Sequence, residues 1–362
     1  MPALTVERFD DPASLPRDIE AAFEPARQSD FHGTLDWYRL LGRTALADGE
    51  RPHLHVLRRD GRPIAALPTH RHRTNGYEQV SALANFYTTR YLPLLAPDAS
   101  APELALLLRA MRNERPRAVA VDIAPLDKGS VTYGRLRDAM RDAGYSTFEY
   151  FRYANWHLPV TQSGSEYIAS RPGEVRSTLR RMGKRFAAAG GHIEIVTPGK
   201  DVARARDAFL AVYAESWKQP EPFPAFVPGF IDLCNEQGWL RMGVARLGDV
   251  PIAAQLWVVT GGKASVYKLA YDSRHRSYSP GTLLTASLMR HVIDEDRVRE
   301  VDYLTGDDDY KRDWMTERRE LWGLVGYDPR HWRGLTLALR EQAARLARRG
   351  ARRRTARESE RA

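Results

Sequence analysis

Along this chain the spacing of apolar positions switches repeatedly between two and about 3.6, the periods of strands and helices. The tetrapeptide PIAA occurs twice, at Pro63–Ala66 and Pro251–Ala254. Each copy follows a charged turn (RRDGR, RLGDV), and each turn follows an alternating strand, HLHVLRR or WLRMGVARL. Downstream, GYEQVSALAN and KASVYKLAYD read as further strands, rich in β-formers with period two. A helical stretch comes next, PELALLLRAMRNE or GTLLTASLMRHVIDE, and then a strand, RAVAVDIAP or VREVDYLTG. A second helix is predicted around 133–143 and 309–317, and TFEYFRYANW and RELWGLVGYD close the two copies as strands. The order β-β-β-α-β-α-β occurs twice, which predicts two related α/β lobes with helices flanking each sheet. Helical material, DWYRLLGRTALA and VARARDAFLAVYAESWK, precedes each copy.

A chain of 362 residues accommodates two such lobes. The composition shift in HLPVTQSGSEYIAS puts the expected boundary near 157, giving lobes over 1–157 and 158–329 and a tail over 330–362. With 43% apolar and 28% charged residues the composition is that of an ordinary globular protein. No apolar run approaches 18 residues, so no membrane span is predicted. The start, MPALTVERFDDPASLP, has no basic segment followed by an apolar core, and a cytoplasmic protein is expected. A single cysteine, Cys234, excludes an intramolecular disulfide and any cysteine-rich metal site. It has no obvious base beside it and reads as a small core residue.

The net charge of +9 invites a nucleic-acid or acidic-membrane reading until it is located. From Arg330 onward eleven arginines face only Glu341, Glu358 and Glu360, so +8 of the +9 sits in the tail. Leu335, Leu337, Leu339 and Leu346 predict a docked helix for its first half, whereas ARRRTARESERA has no apolar face and is expected to be disordered. The tail reads as a solubilising terminus or as a contact for RNA or anionic lipid. A second basic cluster, RPGEVRSTLRRMGKRF, puts Arg176, Arg180 and Lys184 on one helix face and Val175, Leu179, Met182 and Phe186 on another. Two readings stand for it: a solvated face, or a helix bordering a cleft that receives a phosphate or carboxylate.

Candidate chemistry concentrates in the second lobe. YDSRHRSYSPGTLL ends in Ser279-Pro280-Gly281-Thr282 at a predicted helix start. Proline suits the first turn, glycine permits close backbone approach, and free amides near Arg274 and Arg276 make an anion site suited to a pyrophosphate. An ordinary capped helix start is the alternative. The equivalent first-lobe loop, NFYTTRYLPLLAPDASAPEL, has no glycine, so a nucleotide-like cofactor is expected only in the second lobe. The run Thr305–Trp314, TGDDDYKRDW, follows a strand at the side of the sheet where α/β folds place ligands.

The second lobe resembles the GNAT-fold acyltransferases, whose phosphate loop has the form Q/R-x-x-G-x-G/A. The matching run is Arg276-Ser277-Tyr278-Ser279-Pro280-Gly281, with serine in place of the first glycine. Together with the paired lobes and GDDDYKRDW, it resembles the tandem-GNAT CelD-like acetyltransferases and their Fem-type relatives over roughly 50–328. The resemblance implies two tandem GNAT-like lobes, each a mixed, mostly antiparallel sheet flanked by helices, the first having lost its cofactor loop. It implies acyl transfer to an amine of a small molecule or cell-envelope precursor, from acetyl-CoA or another acyl-CoA. In the Fem-type branch the donor is aminoacyl-tRNA. It further implies that Arg274, Arg276, Ser279, Gly281 and Thr282 hold the pyrophosphate and that Tyr310 protonates the leaving thiolate. Lys311, in Tyr310-Lys311-x-x-Trp314, would steady the acyl carbonyl.

Asp307 or Asp308 is a candidate base for the amine; helix capping is an equally open reading of the aspartates, and a divalent metal is not expected there. The pairs His53/His55 and His70/His72 lie on one strand face each but lack an evident third ligand, so they are read as surface residues and no metal is expected. Most aromatics are expected to be core. Trp217, Phe223, Tyr87 and Tyr267 are the candidates for acceptor binding, with the proline-rich 219–228 loop as a lid over a cleft to which the first lobe contributes. A different class of reading is a non-catalytic partner in envelope polysaccharide or lipid assembly.

Overall fold

Two-residue turns set the hairpin geometry. In a computed structural model, which describes residues 2–199 and 201–359 (side chains through Arg348), three hairpins close on Asp60-Gly61, Asn75-Gly76 and Gly261-Gly262, all with positive φ. This is the type I′ geometry whose twist matches that of the flanking strands. The chain begins with β1 (Leu4–Phe9), α1 (Arg17–Phe23) and α2 (Leu35–Thr44). The first copy of the repeat follows as β2 (Arg51–Arg59), β3 (Arg62–Thr74), β4 (Tyr77–Ala82), a short β5 (Leu94–Leu95), α3 (Ala101–Asn113), β6 (Ala120–Asp127), α4 (Val131–Asp142) and β7 (Ser146–Pro159). Between the copies lie α5 (Gly164–Ala169), α6 (Gly173–Ala188), β8 (Gly191–Val196), α7 (Val202–Ala214) and α8 (Phe226–Glu236). The second copy is β9 (Leu240–Leu247), β10 (Val250–Thr260), β11 (Lys263–Tyr271), α9 (Pro280–Asp294), β12 (Glu300–Asp302), α10 (Asp309–Arg312) and β13 (Glu317–Tyr327), and α11 (Trp332–Ser359) ends it. Both PIAA segments lie near the start of a central strand, β3 or β10, with their Ile-Ala-Ala buried.

The chain divides into two compact units. The first comprises 1–22, 47–152 and 322–362. Its sheet has the order β1-β2-β3-β4-β6, antiparallel except for the β4–β6 pair, and Trp322–Tyr327 of β13 lies in the same unit. The second comprises 23–46 and 153–321. Its sheet has the matching order β8-β9-β10-β11-β12, antiparallel except for β11–β12, and β12 pairs with the 157–159 end of β7.

These units replace the expected contiguous lobes 1–157 and 158–329. The closing strand of each copy runs out of the unit in which the copy begins. Residues 23–46 belong to the second unit because Phe31 and Trp37 pack with Phe226, Phe230 and Tyr267, with ring centroids 5.2–6.4 Å apart. Lys263 also pairs with buried Asp30, and Gly261 approaches Ser29 so closely that a Cβ would lie 2.3 Å from its carbonyl oxygen.

Other expectations are corrected as well. The helix expected over 309–317 is a single turn, because Trp314 and Met315 turn into the core and the Thr316 amide donates to the His157 carbonyl. Helix α11 does not stop at Gly350 but runs to Ser359, since the arginine and alanine on either side are strong helix formers; 360–362 lie outside the described residues. Leu335, Leu339 and Leu346 are exposed, and the helix docks instead through buried Ala338 and through Arg345, which donates to the Glu149 carbonyl at 2.6 Å. The histidines are not surface residues: His53, His55 and His70 are buried. No helix among the described residues is long and apolar enough to cross a membrane.

Trp37, fully buried at the centre of the aromatic cluster, carries the attachment of 23–46 to the second unit. Trp37→Ala is expected to lose about 3–5 kcal/mol of unfolding free energy, measured by urea denaturation.

Candidate active site

Helix α9 starts abruptly. Ser279 adopts the left-handed conformation (φ 48°, ψ 48°) as its N-cap without a side-chain cap bond, and Pro280 opens the first turn. Proline has no amide hydrogen, and among the described residues the amides of Gly281 and Thr282 meet no acceptor. The helix start is held from below by Gln255 on β10. Its amide donates to the Gly281 carbonyl (3.1 Å) and to Thr285 (2.8 Å), while its oxygen accepts from the Trp257 indole (2.9 Å). Gly281, Thr282, Thr285 and Gln255 line a cavity of about 420 Å³ in the second unit. Tyr271, Tyr303, Tyr310, Asp313, Trp314 and Trp217 complete much of its wall, and Glu174, Val175 and Thr178 of α6 border it.

The expected catalytic residues divide on this geometry. Tyr310 is in the cavity wall, 6.0 Å from Tyr303, and burial, with Asp308 nearby, pushes its phenol up to about 12. Lys311 is not in the wall. It is buried beneath the 305–308 loop, donates to the Thr305 carbonyl and sits 3.3 Å from Asp308, with burial lowering its pKa. Asp307 accepts from the Trp156 indole (2.7 Å) and pairs with Arg318 (3.0 Å), contacts that hold its carboxyl below the usual range. Both aspartates therefore have structural partners. Asp313 faces the cavity, and among the described residues no cation or hydrogen-bond donor pairs with its carboxylate.

On the donor side Gly281 and Thr282 meet at the cavity, while Arg274 is held by Asp272 (2.8 Å) and Glu215 (3.1 Å). Arg276 has no acidic partner among the described residues, and Ser279 sets the turn. Of the acceptor candidates, Trp217 lies at the cavity with its ring 4.6 Å from Tyr271. Phe223 is outside the wall, and Tyr267 packs 4.5 Å from Phe230 in the aromatic core. Tyr87 is buried in the first unit. Tyr267 and Tyr87 are drawn into packing by their hydrophobic area.

Residues missed in the sequence include Gln255, Asp313, Lys218 and Lys268. A glutamine inside the apolar run PIAAQLW was the available signal for the first. Lys268 pairs with Glu221 at 2.6 Å, and burial followed by the neighbouring Lys268 lowers the Lys218 ammonium to about 8. Arg176, Arg180 and Arg290 line a separate cavity of about 590 Å³ along α6, so this helix borders a cleft as well as solvent.

Residues 173–312 match the family model described as an acetyltransferase (GNAT) domain. The structure is similar to a crystal structure of FemX, with a TM-score of 0.58, 12% identity, and coverage of 89% of this chain and 97% of that one. It is also similar to the C-terminal domain of a putative lysylphosphatidylglycerol synthetase from Agrobacterium fabrum (TM-score 0.53, 13% identity, 93% and 97% covered). L-PGS from Bacillus licheniformis matches with a TM-score of 0.53, 12% identity, and coverage of 92% and 97%. No curated protein matches the sequence. The match places an acetyltransferase (GNAT) domain within the second unit, and the structural neighbours share the fold.

The lowered Lys218 pKa has a stability consequence. Between about 8 and the ordinary 10.5 the unfolded chain carries a proton that the folded chain does not, so stability rises with pH across that window. Lys218→Met is expected to raise the melting temperature at pH 7, with the gain shrinking above pH 8, measured by differential scanning calorimetry.

Proposed function

We propose that the second unit transfers an acyl group from an acyl-CoA to the amine of a small molecule or cell-envelope precursor. The observation that carries this reading is one cavity in which the unsatisfied amides of Gly281 and Thr282 meet Tyr310 and Asp313. Amides at a helix N-terminus suit the pyrophosphate of coenzyme A, aided by the helix dipole and by Arg276. The amine must lose a proton before it attacks the thioester carbonyl, and Asp313 takes that role because Asp307 and Asp308 already hold other groups. Attack forms the C–N bond; collapse of the tetrahedral adduct breaks the C–S bond and releases the thiolate.

Tyr310 stays protonated at neutral pH and donates a hydrogen bond to the departing sulfur. The same raised pKa makes full proton transfer to a thiolate uphill, since free thiols titrate near 8.5. Its contribution is therefore stabilisation of charge on sulfur as the bond breaks. Trp217 and Tyr271 offer aromatic faces to the acceptor.

The aminoacyl-tRNA donor of Fem-type enzymes is the second reading. The Tyr310-Lys311-x-x-Trp314 pattern favours it, but the lysine in that pattern is tied to Thr305 and Asp308 rather than open to the cavity. Saturating acetyl-CoA is expected to raise the melting temperature of the full chain, because a ligand that binds only the native state stabilises it. A shift with charged tRNA but none with acetyl-CoA would replace this reading with the Fem-type one, and no shift with either would contradict both.

A further inference from the structure

A cluster in the first unit takes no part in this chemistry. His70 and His72 project from one face of β3, and Glu50 immediately precedes β2, whose Arg51 is paired with Arg71. The Nδ1 atoms of both histidines are buried without a hydrogen-bond partner. An unsatisfied buried nitrogen costs free energy, and here two such nitrogens converge with a carboxylate. His70 is 8% exposed, and its Nδ1 lies 3.3 Å from a Glu50 oxygen, off the line of a hydrogen bond. Ligand atoms of all three residues lie within 4.8 Å of one another. Two ligands about 2.1 Å from a tetrahedral cation are separated by about 3.4 Å, which the His70–Glu50 pair matches at 3.3 Å.

The other histidine pair provides an internal contrast. His53 Nδ1 meets Asp10 at 3.0 Å, and His55 meets Thr69 at 3.0 Å and Glu114 at 2.8 Å, so the Nδ1 atoms of those rings already have partners within the protein. At the cluster, Glu78 adds negative potential acting on His72.

The geometry points to a metal site formed by Glu50, His70 and His72 that takes a borderline divalent transition ion such as Zn²⁺. Two imidazoles and one carboxylate exclude the hard ions Mg²⁺ and Ca²⁺, which require oxygen donors. Three protein ligands leave a fourth position for water. The ion would fasten the entry of β2 to β3. A His-x-His pair on a strand was legible in the sequence, but the third ligand was not, because Glu50 lies twenty residues before His70 and meets it only through the hairpin register.

The test uses the full chain stripped with a chelator, titrated with Zn²⁺ by calorimetry and with Co²⁺ by visible absorption, with Mg²⁺ and Ca²⁺ as controls. One zinc ion per chain and a cobalt d–d band are expected, without saturable Mg²⁺ or Ca²⁺ binding. His72→Ala and Glu50→Gln are each expected to weaken Zn²⁺ affinity by at least about tenfold, the scale on which even outer-shell partners matter. His53→Gln should bind zinc as the parent does. Far-UV circular dichroism and the metal-free melting temperature of each variant show that it is folded. No saturable zinc binding by the parent, or parent-like affinity in both folded ligand variants, would overturn the site.

Discussion

Asp302 is completely buried, and the way its charge is held shapes the cavity side of the second unit. An unpaired carboxylate at that depth would cost several kcal/mol. Asn155 donates to it at 2.6 Å, the Leu304 amide at 2.7 Å, and Arg319 supplies the cation while also reaching Glu300 at 2.7 Å. Asn155 donates a second bond to the Leu304 carbonyl at 2.6 Å. Leu304 is thereby held in the left-handed conformation (φ 56°), which ends β12 and directs the chain into the 305–308 loop. Lys311 then fills the space beneath that loop, where a Cβ on Gly306 would come within 2.9 Å of its ammonium nitrogen. Tyr310 reaches the cavity wall because its neighbour in sequence is committed below.

The donor side depends on a second buried polar group. Gln255 connects β10 to the start of α9 through three hydrogen bonds, so the amides of Gly281 and Thr282 are presented by a fixed turn. Both supports are satisfied polar groups within an apolar core, which fixes orientation more sharply than packing alone. The proposed acyl transfer from a thioester would draw on these preorganised amides at one side of the cavity and on the protonated phenol in its wall.

The repeat was legible in the sequence because hairpin turns and strand alternation are local: Asp60-Gly61 and Asn75-Gly76 specify their turns almost by themselves. The exchange of closing strands was not legible. TFEYFRYANW and RELWGLVGYD show strand character but do not identify their partners, and pairing is a long-range property. The start of α9 was legible in Ser279-Pro280-Gly281-Thr282, and Tyr310 could be placed near the same side of the sheet from its position after the strand. Lys311, Asp307 and Arg274 were charged residues near the expected site whose partners, Thr305, Arg318 and Asp272, could be assigned only with coordinates. Asp313 was not legible as a cavity residue because the spacing predicts two helical turns where the structure has one. The +9 charge also changed meaning, since most of it belongs to α11 and its end rather than to the site.

The most direct test of this account is single-turnover release of free thiol from acetyl-CoA in the presence of an accepted amine, comparing the parent with Tyr310→Phe. If the phenol stabilises the leaving sulfur, the chemical rate falls by at least about 100-fold while donor affinity stays near that of the parent. An unchanged chemical rate would show that Tyr310 is only part of the cavity wall and would contradict the mechanism.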